Sequence, residues 1–288
     1  MSEKRHHWMG LTGRGMAMGV AEVVPGVSGG TIAFVTGIYD ELVRTLAGFS
    51  HRSVTVLFSE GLVSFWRVHN LRFLALLVAG MAVAIVLFAR LMSYLLATVP
   101  TLVWGFFFGL IALSVWQIGR AQPKRSLVIF APLGVLAGLA LGMLDPLPTD
   151  QALWVFFAGG VVAISAWMLP AVSGSFMLLV LGLYHAVIDA VTNFQWAVLA
   201  SVALGCGVGL LAFSKVLAWL LRCYRGSVLA LLTGFMAGSL PRLWPWREGS
   251  ELLSPAVYQD AVGDPLVLGT ILCVCAGGVA LWLLTRLE

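Results

Sequence analysis

Pro25-Gly26-Val27-Ser28-Gly29-Gly30-Thr31 returns later in this 288-residue chain as Pro170-Ala171-Val172-Ser173-Gly174-Ser175. Extended to Tyr39 and Tyr184, the copies share seven of 15 positions: Pro, Val, Ser and Gly, then Val, Gly and Tyr. The offset, 170 − 25 = 145, is about half the chain, which marks an internal duplication. Pro25 lacks an N–H and bars a continuous helix, and the glycines favour a turn with bare backbone N–H groups. Residues 8–22 before the turn and Ile32–Ile38 after it are apolar. Each falls short of the ~20 residues that a spanning helix needs. Together they predict two half-helices meeting at a Gly/Ser turn, a re-entrant hairpin. Bare backbone survives at membrane depth only where protein or water covers it.

Composition sets the class. Apolar residues make up 60% of the chain and charged ones 10%, against about 25% charged in an ordinary soluble domain. So much apolar surface needs a bilayer, and an all-α polytopic membrane protein is expected. The net charge of +4 is spread over several loops, which argues against nucleic-acid binding. Cys206, Cys223, Cys273 and Cys275 form no CxxC or Cys/His cluster; they read as packing residues, with no metal and no cofactor. No apolar stretch with a cleavage site follows the basic Met1–His7, so no cleaved signal peptide is expected.

The duplication divides the chain into residues 1–150 and 151–288. The first repeat reads as a hairpin over 8–44, a basic loop over 50–72 whose middle suits a surface helix, and spans at 73–97, 101–119 and 127–144. The second reads as a hairpin over 152–188 and spans at 195–221, 227–240 and 265–286. Basic residues mark the N-terminus, the 50–72 loop, the turns at 120–126 and 222–226, and Arg286. Such loops stay cytoplasmic, which puts both termini inside. With three spans after each hairpin, the halves have opposite orientation, the inverted-repeat plan of many secondary transporters.

Within the spans the offset falls to 125, where Gly80 meets Gly205, Gly109 meets Gly234 and Arg90 meets Lys215. In the last spans an offset of 139 aligns Ala137-Gly138 with Ala276-Gly277. Arg90 and Lys215 are the only charges within their spans, and a cation at such depth snorkels or meets an anion. Their coincidence under the duplication favours an anion. The turns fit the same ligand, because a half-helix beginning at Ser28, Gly29, Gly30 and Thr31 aims N–H groups and a positive dipole end inward. Ser173, Gly174 and Ser175 repeat the arrangement, and the hydroxyls add donors. Glu22 has Trp167 as its counterpart; it reads either as a carrier of a coupling proton or ion, or as a partner of Arg14. Trp244 and Trp246 read as interfacial anchors.

Glu22–Thr31, Thr36-Gly37-Ile38-Tyr39 and Leu169–Leu178 resemble the bacterial polyprenyl-phosphate (undecaprenyl-phosphate) transporter family. The likeness covers essentially the whole chain in length and layout, with Ala171 standing where a Gly is expected after Pro170. It implies a membrane protein of the bacterial plasma (inner) membrane. Such a protein returns the lipid carrier undecaprenyl phosphate from the outer to the cytoplasmic leaflet for envelope and peptidoglycan synthesis. Two other readings of the residues stay open: a membrane phosphatase acting on the lipid's diphosphate, and a transporter of a small anion. Against the phosphatase, the turns lack an adjacent Arg and a cluster of Glu. Coupling to a proton or ion and homo-oligomer formation are compatible with the pattern.

Overall fold

The computed structural model describes residues 8–23, 28–142, 152–248 and 251–286. Pro25, Gly26 and Val27 of the first motif lie outside them, as do the aspartates of the turn at 145–151. The described chain is helical almost throughout. Six of its helices are long and apolar enough to cross a membrane, so this is an all-α polytopic membrane protein.

The first half runs through α1 (Trp8–Val23), α2 (Gly29–Val35), α3 (Tyr39–Ala47), α4 (His51–Val68), α5 (Leu71–Thr98), α6 (Pro100–Arg120) and α7 (Lys124–Gly142). The second begins with α8 (Leu153–Trp167), α9 (Gly174–Val180), α10 (Tyr184–Thr192), α11 (Trp196–Cys223) and α12 (Arg225–Ser239). A 3-10 turn (Leu240–Leu243), a small hairpin of β1 (Arg247–Glu248) and β2 (Glu251–Leu252), α13 (Pro255–Ala261) and α14 (Val267–Arg286) complete it. Lengths repeat with position: α2 and α9 have seven residues each, α3 and α10 nine each, and α5 and α11 28 each.

The second limb of each hairpin is broken, where the sequence predicted one half-helix. Gly37 and Gly182 take φ of 75° and 70°, a left-handed conformation that costs glycine nothing and other residues about 1 kcal/mol or more. The break is sharp: α9 and α10 meet at 111°. The surface helix expected in the middle of the 50–72 loop, over 54–66, is present and longer, as α4. It interrupts its helical geometry only at Gly61 and leaves Phe58 and Val63 exposed. An apolar surface of that kind suits a helix lying at the membrane interface.

The chain forms two compact units, each with segments from both halves. One comprises residues 1–10, 83–143 and 225–288, and the other 11–82 and 144–224. In the first, α14 packs along α6 and α12 along α7. In the second, α11 packs along α8 and α3, and α1 lies against the start of α5 through Gly15 on Leu77 and Gly80 on Thr12. Small residues set these seams because, within lipid, close backbone approach replaces the hydrophobic driving force.

The seams themselves repeat. Gly15 meets the Leu77 carbonyl as Gly160 meets that of Val202, and Gly80 meets Thr12 as Gly205 meets Phe157. These residues are related by the offsets 145 and 125. In the other unit, Gly109 meets Val274 as Gly234 meets Ala131, and Gly277 meets Phe106 as Gly134 meets Leu231. Here the last spans correspond at 277 − 134 = 143, where matching residue identities aligned them at 139. The difference of four is one helical turn. Gly134 and Gly138 both lie on the seam, so identity matching slips by a turn while the packing does not.

Candidate functional site

Both motifs lie in the unit containing α1–α4 and α8–α11. Ser28 has extended backbone (φ −127°, ψ 142°) and caps α2, its hydroxyl oxygen accepting the Gly30 N–H at 3.1 Å. The same hydroxyl lies 3.4 Å from the Trp167 carbonyl, to which it donates. The Gly29 N–H donates to Glu22 Oε1 at 2.6 Å, and the Trp167 indole N–H donates to that same oxygen at 2.6 Å. In the first turn the Gly29 and Gly30 N–H groups predicted to cradle an anion are therefore occupied, by a carboxylate and a serine hydroxyl of the chain itself. Glu22 supplies the negative charge that a helix N-terminus favours.

The first turn is docked on the second. The Thr31 hydroxyl accepts the Ala171 N–H at 2.7 Å, and the Tyr39 hydroxyl donates to the Met168 carbonyl at 2.8 Å. A Cβ at Gly30 would stand 2.7 Å from the Trp167 carbonyl, and one at Gly29 would stand 2.7 Å from Glu22 Oε1. Only glycine permits this approach. Ala171 accepts a φ of 64° to present its N–H, so the alanine that replaces the expected Gly carries the strain the glycine would have avoided.

The second turn is more open. Ser173 precedes α9 but caps no N–H of it; its hydroxyl shares a 2.8 Å hydrogen bond with that of Ser175. Gly174 is half-buried and Ser175 exposed. The structure thus brings Ser28, Gly29, Gly30 and Thr31 against the strand of chain leading into Ser173, Gly174 and Ser175. Arg14 is buried in the same unit, 1% exposed. Lys215 is exposed on α11, and Arg90 is exposed on the part of α5 belonging to the other unit. Neither makes a hydrogen bond or ion pair among the described residues.

Two contributors escaped the sequence reading. Trp167 read only as the non-acidic counterpart of Glu22, yet the two side chains bond each other. Tyr39 read as the end of the motif, yet it ties α3 to the second turn. The one available signal was that Tyr ends both 15-residue copies. Asp189, in the last turn of α10, accepts from the side-chain amides of Asn193 at 2.7 Å and Gln195 at 2.9 Å.

Residues 18–259 match the model of the undecaprenyl phosphate translocase-like family. The chain belongs to that family. This translocase-like chain is 42% identical over 250 residues to a polyprenyl-phosphate transporter of Vibrio cholerae serotype O1, covering 86% of its own length and 81% of the relative's. It is 32% identical over 262 residues to a polyprenyl-phosphate transporter of Staphylococcus aureus, covering 83% and 86%. Both relatives are named as transporters and neither as an enzyme. No solved structure matches the translocase-like chain significantly.

Proposed function

We propose that this chain carries undecaprenyl phosphate across the plasma membrane, from the outer to the cytoplasmic leaflet, with the two docked turns as its headgroup station. The observation that supports this most is the Trp167–Glu22 hydrogen bond, which joins a residue to its own repeat counterpart (167 − 22 = 145). In an inverted repeat, a residue touching its counterpart lies on the pseudo-symmetry axis, and a site on that axis is equivalent from either side of the membrane. Exchanging the roles of the halves then generates a second state of similar energy. Both termini are cytoplasmic in this reading.

A phosphate headgroup does not cross hydrocarbon unaided, because its charges lose their hydration. On this reading Glu22 holds the place of the headgroup while the site is empty. Protonation of Glu22 weakens its hold on the Gly29 N–H and frees that donor for phosphate, which couples transport to a proton. Buried Arg14 balances the charge nearby, and Arg90 and Lys215 draw in the headgroup, one for each half. The prenyl tail stays in lipid throughout.

The test is flipping of undecaprenyl phosphate by the purified full chain in defined vesicles, with and without a proton gradient. Glu22→Gln is expected to abolish the response to the gradient, and Arg90→Ala and Lys215→Ala are each expected to slow flipping at least about ten-fold, the value of one charge-assisted hydrogen bond. Wild-type rates in both cation variants would overturn their assignment. Failure of the wild-type chain to flip the lipid under either condition would overturn the function.

A further inference from the structure

The loop after α12 holds a second concentration of cations, inside the unit that contains neither motif. Arg242 sits on the 3-10 turn, which packs against α6 and α12. Arg247 sits on β1, and its guanidinium lies over the ring of Trp104 of α6, 4.4 Å from the centroid. The two arginines are within electrostatic reach of each other. The supporting wall is rigid: Trp246 is buried and donates its indole N–H to the Pro265 carbonyl at 2.8 Å, and Trp244 donates to the Leu253 carbonyl at 2.9 Å. Trp244 in turn packs edge-on to Trp246 at 5.6 Å and to Phe108 at 5.7 Å. Trp246 is buried within the loop and Trp244 half-buried.

No carboxylate among the described residues pairs with Arg247. Among the described residues its guanidinium has no hydrogen bond and no ion pair, and the Trp104 ring is its one described partner. In the hairpin Arg247 pairs with Leu252, whereas Glu248 pairs with Glu251. Successive side chains of a strand point to opposite faces, so both glutamates lie on the face away from Arg247. Burial disfavours its charge and lowers its pKa below the ordinary guanidinium value. A stacked guanidinium keeps its N–H edge free for bidentate hydrogen bonds, the geometry that suits phosphate oxygens. Arg242 places a second guanidinium beside this edge, and two neighbouring cations favour an anion over a neutral ligand.

We propose that Arg242 and Arg247, set against Trp104, form a binding site for a phosphate monoester, separate from the twin turns. Under the orientation of the preceding section, on which only its sidedness rests, the site faces outward and receives the headgroup before translocation. A lipid phosphate and free phosphate share the chemistry, and the experiment separates them.

Intrinsic tryptophan emission of the full chain in detergent is titrated with farnesyl phosphate, with inorganic phosphate and with neutral farnesol, and Trp104→Phe identifies the reporter. Farnesyl phosphate is expected to bind, with about ten-fold or greater weakening in Arg247→Gln and in Arg242→Gln. Arg247→Lys, which keeps the charge but loses the fork, is expected to fall between. Binding of inorganic phosphate with the same losses supports a free-phosphate site; binding of farnesyl phosphate alone supports a headgroup station. Equal binding of farnesol, no binding by wild type, or unchanged binding in both Gln variants overturns the proposal. Thermal unfolding is run on each variant, and Arg247→Lys and Arg242→Lys replace a Gln variant that does not fold. The flipping assay is run on the same variants: loss of the arginine-dependent binding with flipping intact fails this site alone, and wild-type failure to flip with that binding intact fails the function alone.

Discussion

Ser28 is fully buried and caps α2, whereas its counterpart Ser173 caps nothing and shares its hydroxyl with the exposed Ser175. The same backbone plan, a serine before a seven-residue helix and a positive-φ glycine after it, is closed in one copy and open in the other. Side chains at unlike positions make the difference. Glu22 reaches the first helix's N–H groups, but its counterpart Trp167 has no acceptor to offer. Thr31 accepts from Ala171, where the second copy has Phe176. Tyr39 and Tyr184 are the same residue, yet among the described residues only Tyr39 bonds to the opposite turn. The duplication preserves the hinges, and divergence of a few polar residues selects which turn is sealed.

Substitutions at equivalent positions test that asymmetry through unfolding of the full chain in mixed micelles. The largest effect is expected at Gly30→Val, which drives a side chain into the Trp167 carbonyl and costs about 3 kcal/mol. Ser175→Val, its exposed counterpart, is expected to stay within about 0.5 kcal/mol. Next comes Tyr39→Phe, which leaves the buried Met168 carbonyl without its donor and costs about 2 kcal/mol. Tyr184→Phe is expected to change nothing measurable; an equal loss from both tyrosines would mean that the turns are equivalent in solution. Ser28→Ala removes a cap and costs about 1 kcal/mol, while Ser173→Ala is expected to cost less than half of that. Smallest, and opposite in sign, Ala171→Gly relieves the 64° φ and stabilises by about 0.5 kcal/mol after the extra freedom of unfolded glycine is counted.

How much of this was legible depended on whether a feature is local. Six helices long and apolar enough to cross a membrane follow from runs of apolar residues. The starts of α2 and α9 follow from the duplicated Ser-Gly. The break at Gly37 and Gly182 lay hidden inside an apolar stretch, because a lone glycine is tolerated in a helix as readily as it ends one. Glu22 read as an open choice because the donor it meets, the Trp167 indole, lies 145 residues away. Alignment by residue identity put the last spans one turn out of register, since small residues four apart look alike until their neighbours are known.

The amino-acid order alone determined that this chain lives in a bilayer, that it is built twice over, and that each copy carries a Ser-Gly turn too short-limbed to span. Those are consequences of composition, periodicity and backbone chemistry, which act over a few residues. Only the tertiary structure decided that the first turn is filled by Glu22 and docked on the second, and that Arg247 stacks on Trp104. These contacts join residues far apart in sequence, and their geometry is set by glycine seams that bring backbones together from separate segments.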